Sequence, residues 1–150
     1  MKKFKTFLII SSFFWVLIPE AFGQLKETLY YDKDWKGVSS LEEAEYYKIV
    51  TFNAKGIPTG EIIDYYKTGE IKSKIESAKS INRFDDTKSI YVGKLINYYK
   101  SGKIEVKETF NSEGKKVGDA MDFYESGKIR SRISFDSNGF DYIHEFGSVV

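Results

Sequence analysis

Three tyrosines and five cations are the side chains whose type and spacing invite chemistry. Tyr66, Tyr99 and Tyr124 each close an aromatic doublet, and they lie 33 and 25 residues apart. Tyrosine offers contact area at small entropic cost, so such a ladder reads as a binding surface. It also reads as cross-strand aromatic pairing, or as a floor roofed by a second layer. Lys72, Lys74, Lys107, Arg130 and Arg132 follow the doublets. They read as a basic stripe for anionic lipid or glycan, or as a solvated face with scattered counter-charges. Asn82, Asp85 and Asp86 carry oxygens suited to a hard cation. They lack the ligand number and glycine spacing of a calcium loop, so they read as loop polarity. His144 is the sole histidine and has no serine or cysteine partner pattern. Gly60, Gly93 and Gly118 are too far apart for a phosphate cradle. No catalytic residue, metal or cofactor is expected, and the chain reads as non-enzymatic.

The elements that must position these residues are repeated. Tyr65-Tyr66-Lys67-Thr68-Gly69-Glu70-Ile71, Tyr98-Tyr99-Lys100-Ser101-Gly102-Lys103-Ile104 and Phe123-Tyr124-Glu125-Ser126-Gly127-Lys128-Ile129 align without gaps. A second motif, Phe-Asn/Asp-x-x-Gly, recurs at Phe52–Gly56, Phe110–Gly114 and Phe135–Gly139. The unit is 25 residues long, and the first full copy carries 8 more within Ala78–Val92. An insertion in an otherwise regular array reads as a loop on one face.

Each Ser/Thr-Gly between β-prone runs predicts a hairpin. A type I turn followed by a glycine bulge places Tyr65 with Ile71, and Phe123 with Ile129. Alternation then predicts Ile71, Ser73, Ile75 and Ser77 on one face and Lys72, Lys74 and Glu76 on the other. The expected core stripe is Ile63, Tyr65, Ile71, Ile75, Ile96, Tyr98, Ile104, Met121, Phe123, Ile129 and Ile133. Phe52, Phe110 and Phe135 are expected at the junctions. The tyrosine ladder is expected on the opposite face, beside Asp64, Asn97 and Asp122. Glu108 breaks the pattern of its strand.

Residues 1–23 read as a secretory signal peptide: basic Met1–Lys5, apolar Phe7–Ile18, then Ala21-Phe22-Gly23. The apolar run is short of the roughly 20 residues that span a bilayer, so a stable transmembrane protein is not expected. Cleavage after Gly23 implies a periplasmic or extracellular protein. Removing those 23 residues from 150 leaves 127, with 20 basic and 21 acidic side chains. That balance points away from nucleic acid. There is no cysteine, so strand pairing and aromatic packing must supply the stability. Residues 24–45 form an entry segment covering one end of the sheet, with Trp35 packed inward and a helical turn at Ser40–Glu45. Residues 46–146 hold the repeats, in units of about 46–60, 61–92, 93–117 and 118–139. Phe140–Phe146 offers one more strand, and 147–150 is a tail.

The Gly-x4-Tyr-Tyr-x-x-Gly-x-Ile pattern resembles the variant MORN repeat of bacterial proteins, many labelled "toxin–antitoxin system antitoxin, YwqK family". The segments Tyr31-Asp32-x-Asp34-Trp35-Lys36 and Ala44-Glu45-Tyr46-Tyr47 resemble the lead-in of exported members. The resemblance covers Tyr30 to Gly139. It implies an all-β array of stacked antiparallel hairpins forming one elongated sheet. It also implies a scaffold that contacts proteins or membranes. The expected partner is an unidentified protein or envelope component. The alternatives are anionic lipid or glycan binding and an antitoxin-like neutralising role.

Overall fold

The computed structural model describes residues 23–146. The expected signal peptide and the 147–150 tail therefore fall outside the described residues, apart from Gly23. One antiparallel sheet of ten strands runs through the molecule. In chain order the strands are β1 (Leu25–Tyr31), β2 (Gly37–Val38), β3 (Tyr46–Phe52), β4 (Pro58–Tyr66), β5 (Ile71–Ser80), β6 (Ile90–Tyr98), β7 (Ile104–Phe110), β8 (Gly118–Phe123), β9 (Ile129–Phe135) and β10 (Asp141–Phe146). From β3 to β10 every strand pairs with its sequence neighbours. β1 is added at the far side beside β3, with β2 beyond it.

The expected hairpins are present, and one loop geometry serves them all. The N–H of Tyr66 donates to the Glu70 carbonyl, and the N–H of Gly69 donates to the Tyr66 carbonyl. The same two bonds recur in the loops beginning at Asp32, Asn53, Tyr99, Asn111, Tyr124 and Asp136. The fourth loop residue needs a left-handed backbone, which glycine adopts without steric cost. Six loops place glycine there, and the seventh uses Trp35 at φ 60°. Loops at one end of the sheet begin with tyrosine or Asp32. Loops at the other end begin with Asn53, Asn111 or Asp136, whose Oδ1 accepts two backbone N–H groups within the loop.

The entry segment departs from expectation. Leu25–Tyr31 is a full strand paired along β3 from Leu25↔Phe52 to Tyr31↔Tyr46, so it extends the sheet rather than covering its end. Trp35 does pack inward, stacked on Tyr46 at 4.5 Å. Ser40–Glu45 makes a single turn, closed by the Ala44 N–H on the Leu41 carbonyl, and no helix. Glu43 is drawn to Ser39 instead of capping from Ser40.

The expected core stripe is split between the two faces. Tyr65 pairs with Ile71, Tyr98 with Ile104 and Phe123 with Ile129, as the loop geometry requires. One step further along, each hairpin carries an extra residue: Lys72, Glu105 and Arg130. Asp64 pairs with Ser73, Asn97 with Val106 and Asp122 with Ser131. A bulge of one residue reverses the alternation beyond it. Ile71 and Ile75 therefore lie on opposite faces. The buried core is Val50, Phe52, Ile62, Ile75, Ala78 and Leu95, with Leu29, Ile81, Tyr91 and Phe110 packed against it. Ile63, Tyr65, Ile71, Ile96, Tyr98 and Ile104 are half-buried on the other face. Glu108 stands opposite Leu95 on the core face, where Lys116 pairs with its carboxylate.

Candidate functional site

The tyrosine ladder lies on the covered face and ties unit to unit. Tyr66 is only 9% exposed, and its hydroxyl donates to the Tyr98 carbonyl at 2.8 Å. The Tyr99 hydroxyl donates to the Phe123 carbonyl at 2.7 Å. Tyr98 and Phe123 hold the same place in consecutive units, so each tyrosine latches its hairpin to the next. Tyr124 is half-buried at the last repeated doublet. Lys72 and Lys100 approach the Tyr66 ring at 5.5 and 5.3 Å. Two of the three tyrosines are thus engaged in holding the array together.

The five basic residues do not form one stripe. Lys72 is a bulge residue on the covered face, ion-paired to Glu105 of the next unit at 2.6 Å. Arg130 is the equivalent bulge residue four strands on, 3.7 Å from Asp122. Lys74, Lys107 and Arg132 lie on the opposite face in a single cross-strand row, Ile63↔Lys74↔Ile96↔Lys107↔Met121↔Arg132. Strands are about 4.8 Å apart, so these cations recur about every 10 Å. Arg132 holds Asp119 at 2.6 Å, which keeps that carboxyl below its ordinary range. Lys107 rests over the Phe123 ring at 5.7 Å. On the same face a second row runs Tyr30↔Tyr47↔Tyr65↔Ile71, with Tyr98↔Ile104 and Phe123↔Ile129 beyond it. Tyr47 and Tyr65 stack at 4.9 Å. Ile129, at 47% exposure, shows how open this face is.

The insertion does more than form a surface loop. It folds over the covered face and bonds to the strand at the sheet's edge. The N–H of Gly37 donates to the Phe84 carbonyl, the N–H of Asp86 donates to the Trp35 carbonyl, and Lys36 and Asp85 form a β-bridge. Arg83 forks onto Glu27 at 2.9–3.1 Å. Asn82, expected only as loop polarity, accepts the N–H groups of Phe84 and Asp85 on its Oδ1. Asp85 pairs with Lys36 at 2.7 Å. Those bonds, with Thr87, hold its carboxyl well below the ordinary range.

Beneath the insertion lies a buried charge cluster. Lys48 is 0% exposed, and its Nζ lies 2.7 Å from Asp64 and 3.2 Å from Asp86. It also donates to the Tyr91 hydroxyl at 2.9 Å, and that hydroxyl donates to Asp86 at 2.6 Å. Ser73 donates to Asp64, and Ser89 to Asp86. The Tyr31 hydroxyl donates to the Asn82 carbonyl at 3.1 Å. Burial pushes the Asp64 carboxyl up, against the pull of Lys48. Burial, reinforced by Asp64 and Asp86, pushes Tyr91 well above its ordinary value. The sequence singles out neither Lys48 nor Tyr91, places Asp64 only beside the tyrosine ladder, and offers Asp86 only as loop polarity. One signal was available: Lys48 shares its face with Val50 and Phe52, so a lysine occupies a core position of its strand. Among the described residues no three His, Cys, Asp or Glu side chains gather to hold a metal. Among them, too, no helix is long and apolar enough to cross a membrane.

One sheet of like hairpins, with consecutive doublet-bearing units latched by Tyr66 and Tyr99 and seven loops closed the same way, defines a β-hairpin repeat protein. Residues 91–112 and 116–137 match the model of the MORN repeat variant, so the chain carries repeats of this type. The hairpin joining β4 to β5 shares their loop, bulge and latch although it precedes the matched residues. Neither the comparison with curated proteins nor that with solved structures returned a match.

Proposed function

We propose that this chain is a non-enzymatic, exported scaffold that binds a protein or envelope component through its uncovered sheet face. The single observation behind this reading is the difference between the two faces. One is roofed by the insertion and spends its tyrosine hydroxyls and acids on internal bonds. The other leaves an aromatic and aliphatic row half-exposed from Tyr30 to Ile129. Rigid aromatic surface of this kind suits a protein contact. MORN-type repeats are generally protein- or membrane-binding motifs. An antitoxin-like neutralising role is a special case of the same reading.

The test is a photo-crosslinker placed at Tyr65 or Tyr98 in the exporting cell. The expected result is one envelope-derived adduct, absent when the crosslinker replaces Ser131 on the other face. Equal labelling from both faces, or a protein retained in the cytoplasm on fractionation, overturns the proposal.

A second reading rests on the row of Lys74, Lys107 and Arg132: binding of anionic lipid or glycan. It predicts attachment to anionic vesicles or acidic polysaccharide that weakens steeply with salt. Reversing the charge at Lys74 and Lys107 should abolish that attachment, and attachment that survives the reversal rejects this reading.

A further inference from the structure

The repeats share an internal polar pair that one unit has lost. Ser73 donates to Asp64 across the first hairpin, and Ser131 donates to Asp122 at 2.8 Å across the third. In each case the two residues stand opposite each other in register. In the middle unit both members differ, and Asn97 stands opposite Val106. The Asn97 side chain is half-buried, and among the described residues its amide makes no hydrogen bond.

This break coincides with a cleft of about 320 Å³ on the covered face. Asn97 and Val106 form part of its floor, Trp35 and Thr87 stand on its walls, and the Lys72–Glu105 pair borders it. Trp35 comes from the entry segment and Thr87 from the insertion. Both walls are therefore parts that the regular repeat lacks.

We propose that this cleft binds a single uncharged sugar residue. A primary amide both donates and accepts, as neighbouring ring hydroxyls require. Glu105 adds an acceptor and Lys72 a donor, while Val106 and Trp35 offer apolar surface to the C–H side of a ring. Concave sites combining apolar lining with a few converging polar groups are the usual form of small-ligand sites, and the volume suits one ring. The ionised groups nearby are already held: Lys72 by Glu105, and the buried acids by Lys48, Ser73 and Tyr91. A neutral ligand leaves those pairs intact, whereas a charged one must compete with them. The site is on the face opposite the proposed protein contact and stands independently of it.

The experiment is a titration of the isotope-labelled protein with glucose and with N-acetylglucosamine, using glycerol as control. It follows the Asn97 side-chain amide and the Trp35 indole N–H by NMR. Saturable shifts of both signals with at least one sugar, and none with glycerol, are expected. The double variant Asn97→Asp/Val106→Ser rebuilds the pair of the neighbouring units, so it should keep or raise the melting temperature while weakening binding at least tenfold. Asn97→Ala removes the amide without adding charge and should weaken binding likewise. No saturable shift with either sugar overturns the proposal, as do equal shifts with glycerol or undiminished binding in either folded variant.

Discussion

The hydroxyl of Tyr66 reaches the backbone carbonyl of Tyr98, so a side chain from one hairpin closes a hydrogen bond on the main chain of the next. The bond is partly buried, and removing the hydroxyl takes a donor from the Tyr98 carbonyl. Tyr66→Phe should cost about 1–1.5 kcal/mol, lowering the melting temperature by roughly 4–6 °C. Tyr99→Phe, at a more exposed latch, should cost about 1 kcal/mol. Thermal melts of the two variants check both values, and a neutral Tyr66→Phe would show that the latch contributes no stability.

Lys48 pairs with two carboxylates inside the covered face. Lys48→Met leaves Asp64 and Asp86 facing each other without a cation. The expected cost is about 3–5 kcal/mol, because breaking a buried ion pair exposes the desolvation of what remains. Denaturant unfolding measures it. A loss under 1 kcal/mol would mean that the carboxylates take up protons or water with ease.

Gly37 gives the insertion room to close. A Cβ on Gly37 would stand 2.2 Å from the Arg83 carbonyl oxygen and 3.0 Å from the Phe84 Cα. Both are main-chain atoms, so the loop has to move. Gly37→Ala should speed hydrogen exchange at the Asp86 and Ser89 amides while leaving the Tyr66 amide, which donates to the Glu70 carbonyl, protected. Unchanged exchange there would mean that β2 gives way in place of the loop.

Tyr31 and Tyr91 both titrate above the unfolded value near 10.0, chiefly because burial disfavours the phenolate, with Asp86 and Asp64 adding to it. A folded value above the unfolded one means the native state holds protons that the unfolded chain releases. Their contribution is fully present below pH 10 and is lost as pH rises beyond it. Unfolding midpoints should therefore fall from about pH 10 upward, with a slope reduced in Tyr91→Phe. A flat profile in this range would contradict the buried placement of both rings.

The hairpins were legible because their loops are written locally. Ser/Thr-Gly and Asn/Asp-x-x-Gly each name a backbone conformation, and Tyr65 opposite Ile71 follows from that alone. The faces were not legible beyond the loops. Lys72, Glu105 and Arg130 look like ordinary members of alternating strands, yet each is an extra residue that turns its neighbours over. That is why Ile63 and Tyr65 left the expected core while Ile62 and Ile75 filled it. The charge cluster was hidden for a different reason. Lys48 and Asp64 are cross-strand neighbours, but Asp86 joins them only when the insertion folds back over strands it does not directly follow.

Because the loops of the repeated units differ in kind at the two ends, tyrosine-led at one and Asn- or Asp-led at the other, this architecture has a natural quantum of growth. Whole hairpins can be duplicated or excised during evolution with each new junction already compatible. A single strand gained or lost sets a latch where none can engage. Lineages carrying such arrays should therefore vary in length by whole multiples of the hairpin, with the first copy's insertion marking the one place where novelty was added sideways.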